Sequence, residues 1–253
     1  MSLEEQFLTT LSELNKTSSP CPQSRTEAIS LIDLTLLDEI ANDEALKTLS
    51  EKANQHQVAA VCVLPQHLKM IIPEGEVKLA TVVNFPEGNQ TTKHLLSTIE
   101  EIIDNNKIDE IDYVFPYNSY LKNEQHSALL QCQQVYHQCK KYELTFKVIL
   151  ETGALPSLIT IYQLSSEIIV RGCDLLKTST GKIAQGATPS AAFTMLQAIK
   201  DSKTDCGLKL SGGIKKPEQA FTYMNLAKKI LERDLDKSWF RIGASSLLNE
   251  LII

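Results

Sequence analysis

The stretch DLLKTSTGK (174–182), with GLKLSGGIK (207–215) and FRIGASSLL (240–248) after it, decides the reading of this chain. Each is a short apolar run that passes straight into Gly-, Ser- and Thr-rich residues. The first two carry a lysine inside the run, Lys177 and Lys209, about one strand–helix unit apart. Lysine is a poor strand residue and is seldom buried without a partner. The spacing therefore predicts neighbouring parallel strands that deliver two ammonium groups into one cavity. Crowding of this kind, together with desolvation, lowers a lysine pKa and frees an amine to attack carbonyls.

Upstream, the same alternation continues. Strand-like runs lie at 29–35, 58–64, 77–85, 110–115 and 145–151, and the three quoted runs contribute 174–179, 207–212 and 240–245. Most are continuously hydrophobic, as expected of parallel strands covered on both faces. Amphipathic helical stretches follow the first strand (41–55), the third (91–106), the fourth (122–142), the fifth (156–170), the sixth (188–202) and the seventh (216–234). Thr188 and Pro189 read as an N-cap with proline at N1. The second connection, 65–75, is short, and a last helix occupies 246–253. A further helix is expected at 3–16, and 18–25 reads as a connector. Eight such units favour a single closed (β/α)8 TIM barrel spanning 1–253, with an extra N-terminal helix. An open doubly wound sheet is the alternative.

Composition excludes several roles. The net charge is −6, which does not invite nucleic acid or anionic membrane. No apolar run approaches the roughly 20 residues of a membrane span. The N-terminus lacks the basic start and apolar core of a signal peptide, so a cytoplasmic location is expected. The six cysteines (Cys21, Cys62, Cys132, Cys139, Cys173, Cys206) form no CxxC pair and read as buried free thiols. The five histidines show no metal-binding spacing, so no metal and no cofactor are expected.

The C-terminal mouth of such a barrel carries its chemistry. Reading along the strand ends gives Asp33, Cys62, Asn84, Asp112, Lys147, Glu151, Lys177, Lys209 and Ser245. A structural ion pair with Asp33, Asp112 or Glu151 would explain one buried lysine; two on adjacent strands point further. Residue types alone do not settle which is the nucleophile. Asp112 suits proton transfer or a structural pairing. Cys62 reads first as a packed thiol, though one that aldehydes could alkylate if it lined the site. Thr180-Gly181-Lys182, Gly212-Gly213 and Gly243-Ala244-Ser245-Ser246 close three successive strands. Glycine lets backbone N–H groups approach an anion, and small residues open the next helix at its positive end. Phosphate is therefore expected there, with Lys182 or Lys215 adding charge.

Taken in order, IDLT, AVCVLP, ATVVNFPEGN, EIDYVFPY, FKVILETG, LLKTSTGK, LKLSGGI and FRIGASSLL closely resemble the deoxyribose-phosphate aldolases, class I aldolases on a (β/α)8 barrel. The resemblance implies reversible cleavage of 2-deoxy-D-ribose 5-phosphate to acetaldehyde and D-glyceraldehyde 3-phosphate in deoxyribonucleoside breakdown. It implies Lys177 as the Schiff-base lysine, Lys209 as the lysine that perturbs it and Asp112 in the proton relay. Gly181, Lys182, Gly212, Gly213, Gly243, Ser245 and Ser246 match the phosphate-contacting segments. Its partners are then a small phosphorylated sugar and acetaldehyde, with a homodimer allowed. Two departures stand out. Lys215 stands where well-known members carry arginine, which loses a bidentate fork. The sequence also stops at Ile253, where some members extend to a tail tyrosine, so enamine protonation is expected to use another donor or water. A related imine-forming lyase and a non-catalytic sugar-phosphate-binding barrel are the competing readings.

Overall fold

The computed structural model describes residues 2–17 and 23–253. Helices α1 (Leu3–Thr17) and α2 (Gln23–Ser30) lead into β1 (Ile32–Leu36). There follow α3 (Asp43–His56), β2 (Ala60–Val63), a 3-10 turn at Pro65–Met70, β3 (Lys78–Val83), α4 (Thr92–Asn105) and β4 (Glu110–Val114). The next elements are α5 (Tyr117–Leu121), α6 (Gln125–Lys141), β5 (Thr145–Ile149), α7 (Leu158–Arg171) and β6 (Leu175–Lys177). The chain ends with α8 (Pro189–Ser202), β7 (Gly207–Ser211), α9 (Pro217–Leu231), β8 (Phe240–Ala244) and α10 (Leu247–Leu251). All neighbouring strands pair in parallel, and β8 closes onto β1, so the sheet is a (β/α)8 barrel rather than the open alternative.

Three local readings are corrected. Residues 29 and 30 belong to α2, not to the first strand, and α2 also takes 23–25 from the supposed connector. The rest of that connector, 18–22 with Cys21, lies outside the described residues. An additional short helix, α5, follows β4 ahead of the expected long one. Asn84 and Glu151 are not strand residues: both adopt left-handed φ, 57° and 55°, and turn the chain out of β3 and β5.

The barrel separates its two side-chain parities. Val61, Ile111, Tyr113, Phe146, Val148, Leu176, Leu208 and Ile242 pack outward into one apolar layer with helix residues such as Leu95, Ile99, Leu164, Leu196 and Leu226. Full burial of each such side chain contributes about 1.5–3 kcal/mol, so this outer layer carries the fold. The inward parity is different. On the β2–β3 side it is a small apolar cluster of Ala60, Cys62, Leu64, Ala80 and Val82. Around the rest of the circuit it carries Asp33, Glu110, Asp112, Lys147, Lys177, Lys209 and Arg241, all buried.

Helix starts agree with sequence chemistry. The Thr188 hydroxyl accepts the Ala191 N–H at 3.2 Å and Pro189 takes N1, so α8 begins where the sequence predicts. Among the described residues every cysteine is free, and no helix is long and apolar enough to cross a membrane.

Candidate active site

The buried charges form one connected network. Asp112 sits mid-strand on β4, and its Oδ2 meets Lys177 Nζ and Lys209 Nζ, each at 2.7 Å. Its Oδ1 accepts from Lys147 Nζ at 2.8 Å. Parallel register brings these groups together: Asp112 is level with Lys147, Lys177 with Lys209, and Lys209 with Arg241. Below them, Lys147 also meets Glu110 at 2.5 Å and Asp33 at 3.5 Å. Asp33 is shared by Lys209 at 2.5 Å and Arg241 at 2.6 Å, and Arg241 reaches Glu110 at 2.9 Å. Lys147, read at a strand end, thus lies deeper, inside the barrel, level with the mid-strand Asp112.

The two lysines the sequence left equivalent are not electrostatically equivalent. Burial is the largest influence on both and disfavours their charge. For Lys177 it prevails: with the Lys209 ammonium it outweighs Asp112 and pulls the amine below the ordinary lysine range. For Lys209, Asp112 and Asp33 together prevail and push it above. Burial also works against the Asp112 carboxylate, but Lys147, Lys177 and Lys209 hold it well below the usual carboxylate range.

A cavity of about 370 Å³ opens at the C-terminal mouth. Of Lys147, Lys177, Lys209 and Arg241, only Lys177 lines it. Its walls are the segments after β6 (Thr180, Gly181, Lys182) and β7 (Gly212, Gly213, Lys215) and the end of β8 with the residues beyond it (Gly243, Ser245), faced by Thr35 to Asp38. The sequence-predicted rim residues therefore come together, except Ser246, which opens α10 and does not line the cavity. Two glycines sit where a side chain would crowd the site. Gly212 has φ 90°, and a Cβ there would stand 2.8 Å from the Gly186 Cα. A Cβ on Gly243 would stand 3.0 Å from both Lys209 Cε and Ser211 Cβ.

Other strand-end residues support the loops. Glu151 accepts from the Thr180 hydroxyl and N–H, and the Thr180 hydroxyl accepts the Lys182 N–H at 3.0 Å, which ties the 180–182 turn to the end of β5. Burial pushes the Glu151 carboxyl up. Lys182 is exposed and donates to the Leu37 carbonyl at 2.7 Å across the mouth. Asn84 donates to the Val114 carbonyl and accepts the Gln90 N–H, each at 2.8 Å, so it braces a loop rather than lining the cavity. Cys62 is fully buried in the small apolar cluster, in keeping with its first reading as a packed thiol, and burial pushes the thiol up to about 11, which disfavours the thiolate that alkylation by aldehydes would need.

Sequence reasoning missed Glu110 and Arg241. A signal was present: each stands two residues before a recognised inward position, Asp112 and Gly243, and so shares its face of the strand.

A buried amine depressed in pKa, a protonated amine beside it and a small-residue rim for an anion together suit imine chemistry on a phosphorylated carbonyl compound. The chain matches the DeoC/LacD family aldolase description over residues 27–250. It is 36% identical over 231 residues to the deoxyribose-phosphate aldolase of Agrobacterium fabrum, covering 88% of each chain. Among solved structures, a proposed deoxyribose-phosphate aldolase from Coccidioides immitis superposes with a TM-score of 0.81 at 24% identity, over 100% of this chain and 99% of that one. The tetrameric deoxyribose phosphate aldolase of Aeropyrum pernix gives 0.74 at 23%, over 97% and 95%. At those identities the structural likenesses speak to the fold alone.

Proposed function

This chain belongs to the DeoC/LacD family of aldolases, and from that premise we propose that it reversibly cleaves 2-deoxy-D-ribose 5-phosphate to acetaldehyde and D-glyceraldehyde 3-phosphate. The observation that carries the reading is the pairing of Lys177 and Lys209 on one Asp112 oxygen, with Lys177, unlike Lys147, Lys209 and Arg241, reaching the cavity.

The neutral Lys177 amine attacks the C1 aldehyde of the open-chain sugar, and loss of water leaves an imine. The protonated imine accepts the electron pair of the C2–C3 bond as the C3 hydroxyl gives up its proton. Glyceraldehyde phosphate departs. The enamine takes a proton at C2 and is hydrolysed to acetaldehyde, which restores the amine. Lys209, charged and buried, supports Lys177 as a neighbouring cation and suits proton delivery through water. Asp112, which accepts from the Lys147 and Lys209 ammonium groups and from the Lys177 amine, is a weak base in that setting. Its part is to fix the lysines in reach of one another, which narrows the relay role implied by resemblance. Gly181, Lys182, Gly212, Gly213, Lys215, Gly243 and Ser245 offer N–H groups and charge to the phosphate, whereas Ser246 stands outside that set. The role fits a place in deoxyribonucleoside breakdown.

Borohydride added with substrate, followed by peptide mass mapping, tests the assignment. The expected product is a reduced adduct on Lys177, absent from a folded Lys177→Met variant that also lacks turnover. An adduct confined to Lys209 or Lys147 would falsify it.

A further inference from the structure

The barrel interior holds unequal numbers of opposite charges. Asp33, Glu110 and Asp112 supply the carboxylates of the connected network, while Lys147, Lys177, Lys209 and Arg241 supply the cations. We infer that Arg241 acts together with burial and Lys209 to keep Lys177 unprotonated, because it takes up carboxylates that would otherwise be free for the lysines and leaves the network one cation in surplus. This rests on the reading of Lys177 as the imine-forming amine. Arg241 lines no part of the cavity and acts through its neighbours, so it is a positioning residue.

An uncompensated buried charge is costly, and the network relieves its surplus by releasing one proton. The guanidinium does not release one. Among the lysines the loss falls on the one with fewest carboxylates. Lys147 touches Asp33, Glu110 and Asp112, and Lys209 touches Asp33 and Asp112. Lys177 touches Asp112 alone, through an oxygen it shares with Lys209. Arg241 is fixed in place: its Nε donates to the Lys237 carbonyl and its two terminal nitrogens divide between Asp33 and Glu110.

The remaining groups near either end leave the count standing. Lys177 also faces Cys62 on β2, whose thiol stays neutral, and Glu151 after β5. Glu151 makes no ion pair among the described residues and is bound by Thr180. Arg241 also faces Lys147 on β5, a cation already in the count, and Asp236, an exposed carboxylate open to screening by solvent.

The test is the pH dependence of kcat/KM, which reports the free enzyme, in the full chain and in three variants. Arg241→Gln leaves three lysines for three carboxylates. Its acid limb is expected to move up by about 1 pH unit, the effect of losing one nearby like charge. Glu110→Gln deepens the surplus, and its acid limb is expected to stay or move down. The double variant restores a surplus of one, and its acid limb should return to within about 0.3 pH unit of wild type. A purely structural role would lower activity at every pH without opposite shifts, and an unmoved acid limb in Arg241→Gln overturns the inference. If a single variant fails to fold, as judged by circular dichroism, the double variant and lysine-selective NMR of the wild type carry the test. One buried lysine is then expected to titrate well below its fellows; two titrating together, or none, overturns the counting. A wild-type borohydride adduct elsewhere than Lys177 removes the underlying reading. An adduct on Lys177 with an unmoved acid limb removes only the role of Arg241.

Discussion

At Gly243 the absence of a side chain protects a neighbour. An added methyl would meet Lys209 Cε and Ser211 Cβ at 3.0 Å, closer than ordinary carbon contacts. Lys209 is pinned between Asp33 and Asp112, so it gives only by leaving one of them. Gly243→Ala is expected to lower kcat about 10- to 100-fold, in line with sub-ångström misplacement of a reacting group. The folded state should persist by circular dichroism, and unchanged kcat would sink the argument. Cys62 makes the opposite kind of residue-level case. With its thiol pushed up to about 11, its thiolate fraction at neutral pH falls about two orders of magnitude below that of a free cysteine. Iodoacetamide should label it correspondingly slowly in the folded protein and at an ordinary rate in denaturant; fast labelling of the native enzyme would contradict its burial.

At the level of elements, the turn after β6 is tied at one end to Glu151, and α8 is started by Thr188. Replacing Thr188 with alanine leaves the Ala191 N–H without its cap and should cost about 1 kcal/mol of stability. Denaturant titration should show a lower midpoint with kcat nearly unchanged, because Thr188 does not line the cavity. The elements were largely legible because parallel strands covered on both faces read as unbroken apolar runs, and because Thr188-Pro189 carries its own start signal. What escaped had physical reasons. Helix α2 lay hidden in QSRTEAIS, which is weakly amphipathic and adjoins prolines. The ends of β3 and β5 were set by left-handed turns at Asn84 and Glu151, residues that read equally well as strand continuation. Lys177, Lys209 and Asp112 stood out as charges in apolar strands. Arg241 and Glu110 sat at the beginnings of their strands, where a charge passes as an ordinary exposed flank until the closed sheet turns it inward.

For the whole molecule, the charged interior sets the response to acid. Asp33 and Asp112 are held below their ordinary range, both against burial, by Lys209 and Arg241 in the first case and by Lys147 and Lys177 in the second. The unfolded chain therefore binds protons at these sites more readily than the native state. Their stabilisation is present above the unfolded value of about 3.9 and is lost as pH falls through the lower native values. Lys177 adds a slope of the same sign in a higher window: lowered in the native state, it makes stability rise with pH from its native value up to about 10.4, where the unfolded lysine also loses its proton. Calorimetry from pH 5 to pH 2 should show a steep fall in Tm. A Tm flat across that range would mean that these carboxylates are not paired in solution.

The separation of the two side-chain parities has a consequence for how such a molecule can change. Cohesion resides in the shell between staves and helices, whereas reactivity resides in the lumen. Buried ion pairs contribute little net cohesion when exchanged whole for packed apolar groups. Mutational libraries confined to the lumen can thus be expected to alter what the molecule does while drawing lightly on the reserve that keeps it assembled, provided that acids and bases are exchanged in matched sets.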